Sequence, residues 1–379
     1  MALNVIKISQ ITSSGTHKIL SHTSLSYLKT LCLSPWPSVP LISLVYPAKG
    51  FVPRLSYALW WPSYQFPLTR RLSFPCQITL FPSQGFCIGT TVHHAVMDGQ
   101  TGAKFHKSWA HICKYGTIPQ DFNLPTLLDR SIINVPPGLE PKILDLMSYL
   151  DKGNARSLKL PLLKEFDDVV RITLDLSQEN VEELKEKAKN ESTCSDLHLS
   201  TFVVTFAYVW TCMVKARGGE PDRPVRFRYV ADFRNRLDPP VPETYFGNCV
   251  VSIVLDEYKA EMFLGEDGFV NGVKILSDSV KGCSSRGVES IWEQYEEGKK
   301  NFKVGTQVLS VTGSNQFGIY GSDFGWGRPV NTEIMSIYGN NQISMSARRD
   351  GTGGVEIGVS LKKCEMDAFI SFFTNGLDY

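Results

Sequence analysis

The stretch "LSTFVVTFAYVWTCMVKARGG", which begins at Leu199, limits the possible folds more than any other part of the chain. It reads as a helix that is apolar on almost every side and is stopped by Gly218. Such a helix has to be covered all round, so it stands at the centre of a domain. Before it, "VVRITLDLSQENVEELKEKAKN" reads as a strand and then a helix that Ser177 can cap, with Val181, Leu184 and Ala188 on one face. After it, "VRFRYVADFR", "GNCVVSIVLD", "QVLSVTG", "NQISMSAR" and "GGVEIGVSL" read as strands, and a last helix runs from Lys362 to Asn375. Strands and helices mix without strict alternation, which predicts an α+β protein of mixed sheets with flanking helices.

A chain of 379 residues exceeds one ordinary core and predicts two domains, at about 100–200 residues each. We place the N-terminal domain at 1–150 and the C-terminal domain at 168–379. The Pro-rich stretch from Thr117 to Asp168 joins them, with the boundary near its end.

The chemistry concentrates in "TVHHAVMDGQTGAKFHKSWAHIC", Thr91 to Cys113. Strands are predicted at Gln77–Phe81 and Phe86–Val92, the second delivering His93 and His94, and a helix then runs to Gly116. A neutral imidazole can take a proton from a hydroxyl near neutral pH and return it to a leaving group. His94 and Asp98 form the candidate catalytic pair, and Gly99 permits the tight turn where strand becomes helix. His93 points to the opposite face and is the weaker candidate. A half-buried polar residue at a strand end also accounts for His94, because HxxxD is a short and common pattern. A metal site would need three or four ligands, and no second His or Cys cluster supplies them.

Composition excludes several other classes. A formal net charge of +1, with no concentrated basic patch, predicts neither a nucleic-acid partner nor a membrane surface. No apolar run approaches the roughly 20 residues that span a bilayer, and no secretion signal is read at the N-terminus. Nine cysteines without a CxxC pair predict reduced thiols and a cytoplasmic location.

"HHAVMDG", together with "YFGNC" at Tyr245–Cys249 and "DFGWG" at Asp323–Gly327, resembles the BAHD family of plant acyl-CoA-dependent acyltransferases. "ADFRNRLDPPVPETYFGNC", "VTGSNQFGIYGSDFGWGRP" and "DGTGGVEIGVSLKKCEMDAF" look like its malonyltransferases acting on phenolic, flavonoid or anthocyanin glucosides. The resemblance covers roughly Gln77 to the C-terminus. It implies a two-domain fold of the chloramphenicol acetyltransferase type, with His94 in a channel between the domains. Acyl-CoA, most simply malonyl-CoA, is the implied co-substrate, with a phenolic glycoside as acceptor, no bound cofactor and a monomeric state. His94 would deprotonate a sugar hydroxyl that attacks the thioester carbonyl directly.

By the same resemblance, Asp98 points away from the channel and holds the loop. Asp323, in a turn with Gly325 and Gly327, would pair with Arg234 or Arg236, and the segment near 323–342 would pack with the first domain. Thr312 would sit near the acyl carbonyl, while Asn248 and Trp326 shape the site. Arg171 would read a malonyl carboxylate.

The first eighty residues depart from that pattern. The stretch from Lys29 to Cys76 holds eight prolines and three tryptophans, without periodicity, where the family has strands and a long amphipathic helix. One choice of codons for Thr30–Ser38, read in a shifted frame, yields S-L-S-L-A-L-A-Q, close to that helix. Residues ~20–76 therefore read as translated out of frame, because they break the local consistency of folded sequences. This leaves a competing reading, an inactive or truncated paralogue. A third, a peptide-synthetase condensation domain, shares HHxxxDG but gives no reason for YFGNC and DFGWG together.

Overall fold

The structure, a computed structural model, describes residues 3–11, 52–53, 76–81, 85–117, 125–150, 168–285, 287–300, 303, 305–334, 337 and 342–377. The expectation about residues ~20–76 falls outside these, apart from Val52, Pro53 and Cys76.

Two sheets carry the fold. The smaller has four strands in the order β3-β4-β1-β9: β1 (Leu3–Ile11), β3 (Cys76–Phe81), β4 (Gly85–His93) and β9 (Asn331–Ile334). The larger has seven in the order β2-β5-β11-β10-β8-β6-β7: β2 (Val52–Pro53), β5 (Val169–Leu176), β6 (Pro224–Asp232), β7 (Val250–Lys259), β8 (Gln307–Ser314), β10 (Gln342–Ala347) and β11 (Val355–Lys362). It is mixed, with β8 parallel to both β10 and β6 and its other pairs antiparallel. Although β9 follows β8 in the chain, it leaves the larger sheet and pairs with β1, at Ile6↔Ile334. The two sheets are therefore stitched together by the chain itself.

The helices are α1 (Gly99–Tyr115), α2 (Leu139–Leu150), α3 (Gln178–Glu191), α4 (Thr201–Arg217), α5 (Glu261–Leu264), α6 (Gly268–Ser285), α7 (Val288–Lys300) and α8 (Lys363–Asn375). As its sequence requires, α4 is buried on every side from Val203 to Val214. It packs with α3, α6 and α8 against the face of the larger sheet that carries Phe227, Leu309, Val311, Val355, Ile357 and Val359. The capping of α3 is reciprocal: Ser177 accepts from the Asn180 N–H, and the Asn180 side chain accepts from the Ser177 N–H.

A second, smaller core lies behind the first sheet, where Phe86, Ile88 and Trp109 meet Phe324. The connection after Thr117 is more structured than its composition suggests, with a 3-10 turn at Arg130–Ile132 and all of α2. Apolar residues recur along α2 at helical spacing, at Leu139, Ile143, Leu146, Met147 and Leu150, and Leu139 is the one buried residue among its described side chains.

Candidate active site

The buried run Phe86–Thr90 anchors β4, and the chain turns at His94–Val96 before α1 begins. His94 is half-buried in that turn. Two side chains from elsewhere hold the turn by its carbonyls: Asn248 Nδ2 donates to His94 O at 2.7 Å, and Arg130 Nη2 donates to Ala95 O at 2.8 Å. The side chain of His93 lies outside the described ones.

Asp98 is the hub beneath the turn. Its Oδ1 accepts from Thr101 N at 2.9 Å and caps α1, while Oδ2 accepts from Arg234 Nη2 at 2.8 Å and Cys249 N at 3.0 Å. The same Arg234 nitrogen donates to Thr101 Oγ1 and Gly247 O, and Nη1 reaches Asp232 at 3.1 Å. The DFR, YFGNC and HHxxxDG segments thus meet on one buried ion pair. Burial alone would pull the Arg234 guanidinium down, but Asp98 and Asp232 outweigh it and hold it above its ordinary range. Among the described residues no hydrogen bond joins Asp98 to His94, so Asp98 acts on the histidine only through the loop it fixes.

Glycine at 99 is a matter of space, and at 247 of space and of a backbone with φ near +157°. A Cβ on Gly99 would lie 2.7 Å from Cε2 of Phe317, and Gly99 is not among the positive-φ glycines, so close packing replaces the expected turn requirement. At Gly247 a Cβ would collide with the Tyr245 ring, which also lies under Arg234.

The expected partner of Asp323 is corrected. Arg234 is used by Asp98 and Asp232, and Arg236 donates to the Asp232 carbonyl. Asp323 instead closes its own turn, accepting from Gly325 N at 2.8 Å and Gly327 N at 3.0 Å, and pairs with Lys114 at the end of α1, 2.7 Å away. Gly325 and Gly327 have φ near +105° and +100°, so each needs glycine. Phe324 meets Trp109 edge-on at 4.9 Å and Trp326 meets Phe86 at 5.1 Å, which places Trp326 in the small core. DFGWG is therefore a turn pinned onto that core.

The face of the larger sheet turned away from α4 is rich in hydroxyls. Register sets Thr312, Ser344, Gly358 and Thr173 side by side on β8, β10, β11 and β5, and next to them Ser310, Gln342, Ser360 and Arg171. Thr312 is thus central to this polar face. Arg171 is not at a sheet edge, because β5 is paired on both sides, and it is not free. It is buried, ion-paired with buried Glu333, and donates to Ile334 O at 3.0 Å. A malonyl carboxylate would have to compete with Glu333 for it.

Two nearby groups are chemically quiet. Burial pushes the Cys249 thiol up to about 11, so it stays protonated near neutral pH. His106 is fully buried between Gly102 O, at 2.6 Å from Nδ1, and Thr90 Oγ1, at 2.8 Å from Nε2, and burial lowers its pKa. No cluster among the described residues has the ligands for a metal ion, and no described helix is long and apolar enough to cross a membrane. Arg130, Glu333, Lys114 and Phe317 were not foreseen, since each gains its role from a contact distant in sequence.

A loop histidine at the end of an antiparallel sheet, held by Asn248 from the loop that leads into a larger mixed sheet with flanking helices, is the arrangement of an acyltransferase of the chloramphenicol acetyltransferase type. The chain belongs to the BAHD acyltransferase family: the model described as "Transferase family" matches residues 61–375. In Arabidopsis thaliana a BAHD acyltransferase is 70% identical over 305 residues, covering 80% of this chain and 68% of that protein. Agmatine coumaroyltransferase of the same plant is 66% identical over 303 residues, covering 78% and 67%. Its phenolic glucoside malonyltransferase 2 is 50% identical over 308 residues, covering 80% and 68%. The crystal structure of vinorine synthase shares the fold, with a TM-score of 0.67 at 16% identity over 98% of this chain and 90% of that one.

Proposed function

We propose that the protein moves an acyl group from a CoA thioester to the nucleophile of a small acceptor, with His94 as general base. The observation that carries this reading is the double tether on the turn after β4, which holds the backbone of the half-buried His94 in place. His94 takes the proton as the acceptor attacks the thioester carbonyl, the C–S bond breaks, and the thiolate leaves with that proton. The raised Cys249 thiol supports direct transfer over an acyl-cysteine. Thr312 and its hydroxyl-bearing neighbours offer hydrogen bonds to the bound thioester arm.

For the donor we favour an uncharged hydroxycinnamoyl group. A coumaroyltransferase is 66% identical against 50% for the malonyltransferase, and Glu333 already satisfies the Arg171 charge. Malonyl transfer to a phenolic glucoside is the second reading, carried by the buried arginine and by that 50% relative. The test is product formation by the purified protein with p-coumaroyl-CoA or malonyl-CoA, against agmatine and a panel of phenolic glucosides. His94→Ala should lose about 10²–10⁴-fold in rate. Undiminished turnover in that variant would end the general-base reading, and malonylated glucosides as sole product would reverse the donor preference.

A further inference from the structure

The segment joining the two halves is more than a linker. At Leu127 it forms a short parallel bridge with the YFGNC loop: Leu127 N donates to Thr244 O at 3.0 Å and Phe246 N to Leu127 O at 2.8 Å. Two residues on, Asp129 caps the 3-10 turn by accepting from Ser131 N at 2.9 Å, and further along Asn134 Nδ2 donates to Asp238 O at 3.2 Å. The turn carries Arg130, whose guanidinium ends on the carbonyl of Ala95, next in sequence to His94. Asn248, three residues beyond Tyr245 on the loop to which Leu127 is tied, holds the carbonyl of His94 itself. Two successive carbonyls of the catalytic turn are therefore gripped from one assembly, by a charged and a neutral donor.

We infer that Arg130 is a positioning residue for the acyl transfer: it fixes the His94 turn through Ala95 O and makes the inter-domain segment part of the site. This rests on the His94 general-base reading. A turn whose carbonyls are held cannot rotate its peptide planes independently, so the imidazole is kept on its approach line to the acceptor. The bond from a guanidinium is stronger than one from a neutral donor, which suits a tether that lies at the surface. Arg130 touches no reacting atom in this role, so its loss should lower turnover and leave acyl-CoA capture unchanged.

The experiment compares wild type, Arg130→Met, Arg130→Lys and His94→Ala in the full chain, using whichever acyl-CoA and acceptor give product. Arg130→Met should lower kcat at least tenfold, with KM for the acyl-CoA within twofold of wild type and the thermal midpoint unchanged. Arg130→Lys, or guanidinium ion added to Arg130→Met, should restore a measurable part. Three results overturn the inference: a kcat within twofold of wild type, a rise in KM for the acyl-CoA that accounts for the loss, or a loss that follows a lowered thermal midpoint and is not rescued. An active His94→Ala would instead overturn the reading beneath it, whatever Arg130 shows.

Discussion

Removing the Asp98 carboxylate should be the most damaging single change near the site, although it touches no reacting group. In Asp98→Ala three things are lost together. The α1 cap at Thr101 N is worth about 1 kcal/mol, and the Cys249 N–H left buried without an acceptor costs about 1–3 kcal/mol. Breaking a buried ion pair from one side costs about 3–5 kcal/mol, because the guanidinium stays in place; Asp232, 3.1 Å from Arg234, relieves part of this. These losses overlap in one network, so the total falls near 4 kcal/mol. Against a whole stability of about 5–15 kcal/mol, this is a large fraction, and at the low end of that range the variant is barely folded. Asp98→Asn keeps an acceptor for Thr101 N, but its amide NH2 faces the Arg234 and Cys249 donors that Oδ2 accepted, so it saves only the cap and should cost about 1 kcal/mol less. Urea unfolding followed by circular dichroism measures both variants, and the double variant Asp98→Asn/Arg234→Met should be more stable than the sum of its singles. A loss under about 1 kcal/mol for Asp98→Ala would refute the claim that three motifs hang on this pair.

Two further outcomes follow from the same structure. His106 is neutral and buried, with its pKa lowered by burial despite the Gly102 bond, while the unfolded chain restores it to about 6.5. Below that pH the unfolded state takes up a proton that the folded state refuses. Stability is therefore complete above about pH 6.5 and falls as the pH drops below it. His106→Gln should flatten that fall in urea midpoints taken at about pH 7.5 and about pH 5, and equal slopes would refute the assignment. In DFGWG, Asp323→Ala should lower the thermal midpoint clearly more than Lys114→Met, because the turn bonds to Gly325 and Gly327 go with the carboxylate while the lysine lies on an exposed ion pair. Equal shifts would show that the ion pair, and not the turn, matters.

Much of the fold was legible because burial leaves periodic marks. The all-round apolar helix at Thr201–Arg217, the Ser177 cap and the alternation of Leu309 and Val311 with Ser310 and Thr312 all appear in the chain as they do in space. The helix at Leu139–Leu150 carries apolar residues at helical spacing too, but it follows a Pro-rich stretch and was read as part of a weakly periodic connection.

Local chemistry likewise singled out His94 and Asp98, since a strand that ends in histidines and an aspartate one turn further on need only neighbours in sequence, while the cap that Asp98 gives α1 came from the structure. Partners were another matter. Pairing of Arg234 with Asp98 across 136 positions, of Asp323 with Lys114 across 209, and of Arg171 with Glu333 on a strand that changes sheets was settled by which charges share a desolvated space. A charge in the sequence can meet any opposite charge. In the folded protein a buried guanidinium is stable only beside the carboxylate that packing brings to it, and this decided what each arginine was left free to do.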